Sequence, residues 1–147
     1  MSIMHAKRTQ ADFGFTVTDA SGHHLKIDIP VDQGGGGTGF RPMQTMLSAL
    51  CGCSGVDMVS ILKKQRQNFD SLEILVDGER EKGKEPALWE TLDITFKLTG
   101  DVDPLKAYRA AELSINKYCS VAETLRRAGA SILFKVVVNN TEVNPAQ

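Results

Sequence analysis

The chain has 147 residues and a formal net charge of −1, with 41% apolar and 24% charged residues, a composition typical of one soluble domain with a real core. The near-neutral charge provides no basic field for nucleic acid, and no apolar run in the sequence approaches the roughly eighteen residues of a membrane span. No signal peptide is visible in segment 1–8. We therefore expect a single cytoplasmic domain over 1–147, with neither nucleic acid nor a membrane as partner.

The first half of the chain predicts a β-hairpin followed by a long helix. Alternating apolar and polar residues place strands at 13–19 and 25–30, joined by a turn at 20–23. The glycine-rich segment 34–39 formally matches G-x-G-x-x-G, but no βαβ unit surrounds it, so we interpret it as a flexible loop. Pro42 suits the first turn of a helix that ends near Lys64 and is apolar on more than one side.

The second half alternates strands and helices. Strands are predicted at 72–78, 88–99 and 132–138. Asp103 is a candidate N-cap for a second helix, and Ser120 with Glu123 matches the capping box of a short third helix over 121–127. This order of elements predicts an α+β fold, with an antiparallel sheet packed on helices.

The three cysteines are the candidate chemical groups. Cys53 shares a helix face with Asp57, whereas Cys51 points about 160° away. Cys119 directly precedes the predicted N-cap Ser120, where the helix dipole favours a thiolate and lowers the thiol pKa. Cytosolic disulfides tend to be transient and catalytic, which suits a redox pair. A free cysteine is also often a small buried apolar residue with no chemical role. The residues alone therefore leave both the redox pair and this structural interpretation open.

A metal site is not expected from the sequence. Cys51 and Cys53 together with Cys119 offer three thiols. However, Cys51 and Cys53 diverge when they lie on one helix, and no histidine or fourth cysteine has zinc-finger spacing. His23 and His24 are adjacent at a predicted turn and are expected to be solvated. We therefore expect neither a metal nor a cofactor.

Four motifs of this chain match those of a known protein family. They are Gly39-Phe40-Arg41-Pro42 with Leu47, Cys53, Asp57-Met58-Val59-Ser60-Ile61-Leu62-Lys63-Lys64, and Tyr118-Cys119-Ser120-Val121. In these motifs the chain resembles the OsmC/Ohr family of thiol-dependent peroxidases, most closely its YhfA-like branch, and the similarity extends from about residue 13 to residue 138. The resemblance implies an OsmC-like fold of two central helices packed on curved antiparallel sheets, and an intertwined homodimer with thiol sites near the subunit interface.

The resemblance also implies an activity. Cys53 corresponds to the cysteine that attacks an organic hydroperoxide, and Cys119 to the one that then forms the disulfide; a dithiol reductant, typically a lipoyl group, reopens it. Characterised peroxidases of the family carry a glutamate after the helix-opening proline and an activating arginine. Here Met43 follows that proline, so the candidate supporting residues are Gln44, Asp57, Arg41 and Arg109.

Two other functions stay open at this point. One is a redox-sensing thiol protein on the same fold, which would oxidise without turnover. The other is a non-catalytic module that binds a small ligand and does not need its cysteines.

Overall fold

The computed structural model describes residues 2–10 and 12–146. The chain divides into two compact units, Met1–Met46 and Leu47–Gln147, which we describe separately. The expectation of a single domain stays a prediction.

The first unit contains a three-stranded antiparallel sheet in the order β1-β2-β3. The hairpin predicted from the sequence is confirmed as β2 (Gly14–Asp19) and β3 (His24–Ile27). Strand β1 (Met4–Gln10), which pairs with β2, was not predicted. Its residues 4–9 are all exposed, so this strand has no buried face to create an alternating pattern.

The glycine-rich loop is held by a buried carboxylate, in contrast to the flexible loop that we expected. Asp28 is only 1% exposed and accepts hydrogen bonds from the N–H groups of Ile29, Gly36 and Thr38 and from the Thr38 hydroxyl, the last at 2.7 Å. These hydrogen bonds, foremost that from the Thr38 side chain, lower the pKa of Asp28. The loop needs glycine because a Cβ on Gly35 would lie 2.1 Å from the carbonyl oxygen of Ile29.

Helix α1 (Pro42–Lys64) begins and ends as predicted, with Lys63 and Lys64 in its last turn. Contrary to expectation, only one stripe of this helix is fully buried in the chain, while Val56 is 71% exposed. By length and composition α1 could cross a membrane, although the core helix of a soluble protein passes the same test. The expectation that no apolar run approaches the length of a membrane span did not anticipate this property of α1. Its buried residues recur every four positions: Leu50, Ser54, Met58 and Leu62.

The second unit contains a mixed four-stranded sheet in the order β4-β5-β6-β7. Its strands are β4 (Asn68–Arg80), β5 (Trp89–Asp101), β6 (Ser131–Val138) and the short β7 (Thr141–Glu142). The α+β class is confirmed, but β6 pairs with β5 in parallel rather than antiparallel. The cause is the helical connection between them, which carries the chain back to the start of β5 before β6 begins.

That connection consists of α2 (Pro104–Leu113), a π-helical turn (Ser114–Tyr118) and α3 (Ser120–Arg127). Asp103 is confirmed as the N-cap of α2, since its carboxylate accepts from the N–H groups of Leu105 and Lys106. Helix α2 packs on β6, where the rings of Tyr108 and Phe134 lie 5.3 Å apart between centroids. The centre of the core is a row of β5 residues that are at most 1% exposed: Leu92, Ile94, Phe96 and Leu98.

Candidate functional site

Two helical segments of the second unit bring two thiols and a carboxylate together. Cys53 and Asp57 lie one turn apart on the same face of α1, and Cys119 lies between the π-helical turn and α3. The sulfur atoms of Cys53 and Cys119 and a carboxylate oxygen of Asp57 all lie within 4.8 Å of one another. We call these three residues the thiol–carboxylate cluster. Cys53 and Asp57 are half-buried, whereas Cys119 is only 3% exposed.

The π-helical turn sets the position of Cys119. The N–H of Cys119 donates to the carbonyl oxygen of Ser114, five residues earlier, at 2.8 Å. This wider turn directly follows α2 and ends at Tyr118, just before Cys119 and the start of α3. Cys119 is itself the N-cap of α3, because its sulfur accepts a hydrogen bond from the N–H of Ala122 at 3.4 Å.

The capping box that the sequence suggested is therefore wrong in its register. Ser120 is the first residue of α3 rather than its cap. Glu123 instead forms ion pairs with Arg126 and Arg127 along the helix. A cysteine is an uncommon cap, so sequence rules favour the serine beside it.

The thiol of Cys119 is harder to ionise than the sequence suggested. Its pKa is raised to about 11, mainly by burial, since the thiolate loses its hydration in the protein interior, and to a smaller extent by the neighbouring Cys53. The hydrogen bond from the Ala122 N–H acts in the opposite direction but does not overcome burial. The prediction that the start of α3 lowers this pKa is therefore wrong, and Cys119 is protonated at neutral pH.

Ser114 supports the cluster, although sequence reasoning did not identify it. Its side chain is fully buried, and its hydroxyl donates to Asp57 Oδ2 at 3.0 Å. The same hydroxyl lies 3.5 Å from the carbonyl oxygen of Ser54 on α1. No signal in the sequence marks Ser114, because only the π-helical turn directs it toward α1.

The remaining candidate residues are Cys51, Arg109, Gln44 and Arg41. Cys51 is half-buried, its pKa is raised by burial, and it is not part of the cluster. Arg109 forms an ion pair with Glu112 on α2. In the first unit, the side chain of Gln44 accepts a hydrogen bond from the N–H of Arg41 at the start of α1. A supporting role for Arg41, Gln44 or Arg109 at the thiols stays a prediction.

The cluster has the chemistry of a redox pair. Two sulfur atoms from separate helical segments face each other, one half-exposed and one buried, and a carboxylate next to them can exchange a proton. Thiols and a carboxylate are also groups that coordinate a metal ion.

Comparison with known proteins places this chain in a family. The family model described as OsmC-like protein matches residues 34–133, which includes all three members of the cluster. Protein YhfA of Escherichia coli K12 is 38% identical over 118 residues, which cover 78% of this chain and 82% of YhfA.

Solved structures share the fold. The OsmC-like protein of Mycoplasma pneumoniae has a TM-score of 0.78 at 15% identity, covering 94% of this chain and 96% of that one. A Legionella pneumophila protein described as an organic hydroperoxide resistance protein has a TM-score of 0.71 at 15% identity, covering 94% and 97%. The fold and the sequence relatives agree, and the chain belongs to the OsmC-like family.

Proposed function

We propose that this protein is a thiol-dependent peroxidase that reduces organic hydroperoxides, with Cys53 as the attacking thiol and Cys119 as its partner in a disulfide. The observation that carries the proposal is the approach of the two sulfur atoms to within 4.8 Å from separate segments of the fold. Membership of the OsmC-like family supports it, and so does the hydroperoxide resistance named for the Legionella pneumophila protein of the same fold.

In the first step the thiolate of Cys53 attacks the O–O bond of the hydroperoxide. The sulfur forms a bond to one oxygen, the O–O bond breaks, and the leaving alkoxide takes up a proton to give the alcohol. Cys53 becomes a sulfenic acid. This role suits Cys53 because it is half-exposed, whereas Cys119 is buried.

In the second step the sulfur of Cys119 attacks the sulfenic acid of Cys53, and water leaves as the disulfide forms. Because Cys119 is a thiol at neutral pH, it must lose a proton during this attack. The Asp57 carboxylate, within 4.8 Å of both sulfurs, is the group placed to accept that proton. A dithiol reductant, which we propose is of the lipoyl type, then reopens the disulfide by exchange.

We further propose that the protein acts as a homodimer in the cytoplasm, with neither nucleic acid nor a membrane as partner. Within one chain, α1 leaves Val56 71% exposed, and the outer face of the second sheet leaves Leu75 and Leu133 59% and 64% exposed. A second copy would cover such apolar surface. The family resemblance supports the same assembly.

The test is hydroperoxide consumption with a dithiol reductant, measured for the native chain and three serine variants. Cys53→Ser is expected to abolish consumption. Without the reductant, Cys119→Ser is expected to consume about one equivalent and to stop at the sulfenic acid of Cys53, since the thiol that would form the disulfide is absent. Cys51→Ser is the matched control on the same helix and is expected to turn over normally. Turnover that survives in Cys53→Ser would overturn the proposal.

A redox sensor is the second candidate, and one observation favours it. The Asp57 carboxylate lies within 4.8 Å of both sulfur atoms, and its negative charge does not stabilise a thiolate, while Arg109 is paired with Glu112. Slow, stoichiometric oxidation of the native chain without turnover would select the sensor.

A further inference from the structure

We propose that the reduced thiol–carboxylate cluster binds one zinc ion, with the sulfur atoms of Cys53 and Cys119 and a carboxylate oxygen of Asp57 as its protein ligands. This site differs from the one that the sequence led us to dismiss. The sequence candidate consisted of Cys51, Cys53 and Cys119, whereas the fold brings the carboxylate of Asp57, and not Cys51, to the other two thiols. The proposal does not depend on peroxidase activity.

The distances suit a zinc ion after a small contraction. Zinc binds sulfur at about 2.3 Å and carboxylate oxygen at about 2.1 Å, so tetrahedral coordination separates two sulfurs by about 3.8 Å and a sulfur from an oxygen by about 3.6 Å. The three atoms here lie within 4.8 Å of one another. A contraction of at most about 1.0 Å between the two sulfurs and about 1.2 Å between a sulfur and the oxygen, within reach of side-chain rotation, would complete the geometry.

The ligand types and their placement also suit zinc. Cys53 and Asp57 are four residues apart on α1, the spacing that puts two ligands on one helix face. Cys119 adds a third ligand from another segment, so the site would close around an ion rather than lie on one helix surface. Three protein ligands leave a fourth position for water or a small ligand, which the half-exposed side of Cys53 allows.

Hydrogen bonds around the cluster already orient its ligands. The hydroxyl of Ser114 donates to Asp57 Oδ2, which fixes the carboxylate and leaves its other oxygen available. The N–H of Ala122 donates to the sulfur of Cys119, an interaction that stabilises a thiolate. Such outer contacts are what keep metal ligands in place.

A cation would compensate the negative charge of the Asp57 carboxylate and of the thiolates that form as the cation binds. In residues 2–10 and 12–146, Asp57 forms no ion pair, and its hydrogen-bond partner is the neutral Ser114. With both thiols ionised the cluster carries three negative charges, which zinc would reduce to one. Binding therefore releases two thiol protons as two zinc–sulfur bonds form.

The proposal links zinc to the redox state. A disulfide has no thiolates, so the oxidised protein has lost two of the three ligands and does not hold the ion. Conversely, bound zinc occupies both sulfurs and slows their oxidation.

The test is a titration of the reduced full chain with zinc sulfate against a chromophoric chelator, without air or hydroperoxide. The native chain and Cys51→Ser are expected to bind one zinc per chain with equal affinity. Cys53→Ser and Cys119→Ser are expected to lose more than about 100-fold in affinity, and Ser114→Ala about 10-fold, because it acts through Asp57. Circular dichroism establishes that each variant is folded.

Cobalt provides a second readout that does not depend on affinity alone. Cobalt bound to the native chain is expected to show the near-ultraviolet charge-transfer absorption of a thiolate complex, which either cysteine variant at the site would reduce. The absence of zinc binding to a fully reduced native chain would overturn the proposal. Equal affinity of Cys53→Ser, Cys119→Ser and the native chain would also overturn it, as an adventitious surface site. Neither result depends on whether the protein consumes hydroperoxides.

Discussion

The unequal reactivity of the cluster's two cysteines is the prediction that follows most directly from its geometry. Cys53 is half-buried, whereas Cys119 is 3% exposed and has a pKa raised to about 11 by burial. Alkylating reagents react with thiolates, so the alkylation rate of Cys119 is limited both by its small ionised fraction and by poor access to its sulfur atom.

The expected difference in alkylation rate between Cys119 and an ordinary cysteine follows from the pKa of Cys119. At pH 8 an ordinary cysteine with a pKa of about 8.5 is roughly one quarter thiolate, whereas a thiol with a pKa of about 11 is roughly 0.1% thiolate. Ionisation alone therefore predicts that Cys119 alkylates about 200-fold more slowly than a free thiol. Burial of the sulfur slows the reaction further.

The assay is a time course with iodoacetamide at pH 8 on the reduced Cys51→Ser variant, followed by peptide mass spectrometry. Removing Cys51 leaves one cysteine in the peptide that contains Cys53, and trypsin separates this peptide from that of Cys119 at Lys117. We expect Cys53 to be modified first and Cys119 to stay protected until unfolding. Equal rates at the two cysteines, or a Cys119 rate near that of a free thiol, would refute the reasoning.

Three further predictions concern stability and assembly. Asp28→Asn should make the free energy of unfolding depend less on pH in the acid range. The lowered pKa of Asp28 stabilises the native state at pH values above the ordinary pKa of about 3.9, and this stabilisation is lost as pH falls through the native pKa. Urea unfolding at a series of pH values below 5 would measure the difference. Phe96→Ala should cost about 3–5 kcal/mol in urea unfolding, because Phe96 is fully buried. Val56→Lys should shift a dimer toward monomer in sedimentation, because this exposed apolar position would become charged.

The parts of the fold that the sequence predicted depend on local signals. Pro42 marks the start of α1 and Asp103 caps α2, because each acts through its own neighbours in the chain. The hairpin of β2 and β3 followed from alternation across a short turn. The parallel pairing of β6 with β5 was not predictable in this way, since it depends on a connection of about thirty residues.

In the site, too, local features could be predicted from the sequence and features that depend on distant residues could not. The angular separation of Cys51 from Cys53 could be derived from helix geometry, and the structure keeps Cys51 out of the cluster. The pKa of Cys119 could not be derived from the sequence. Local rules consider the dipole of α3, whereas the larger effect is burial by residues that are distant in the chain. Ser114 contacts Asp57 because a π-helical turn interrupts the helical connection between β5 and β6. No residue pattern in the sequence predicts that turn.

The central claim is that Cys53 and Cys119 are one redox pair, and mass spectrometry of the reduced protein after one equivalent of cumene hydroperoxide tests it most directly. The account predicts the loss of two hydrogens, mapped to a single disulfide between the peptides that contain Cys53 and Cys119. A protein whose thiols stay unchanged, or a disulfide that uses Cys51 instead, would contradict it.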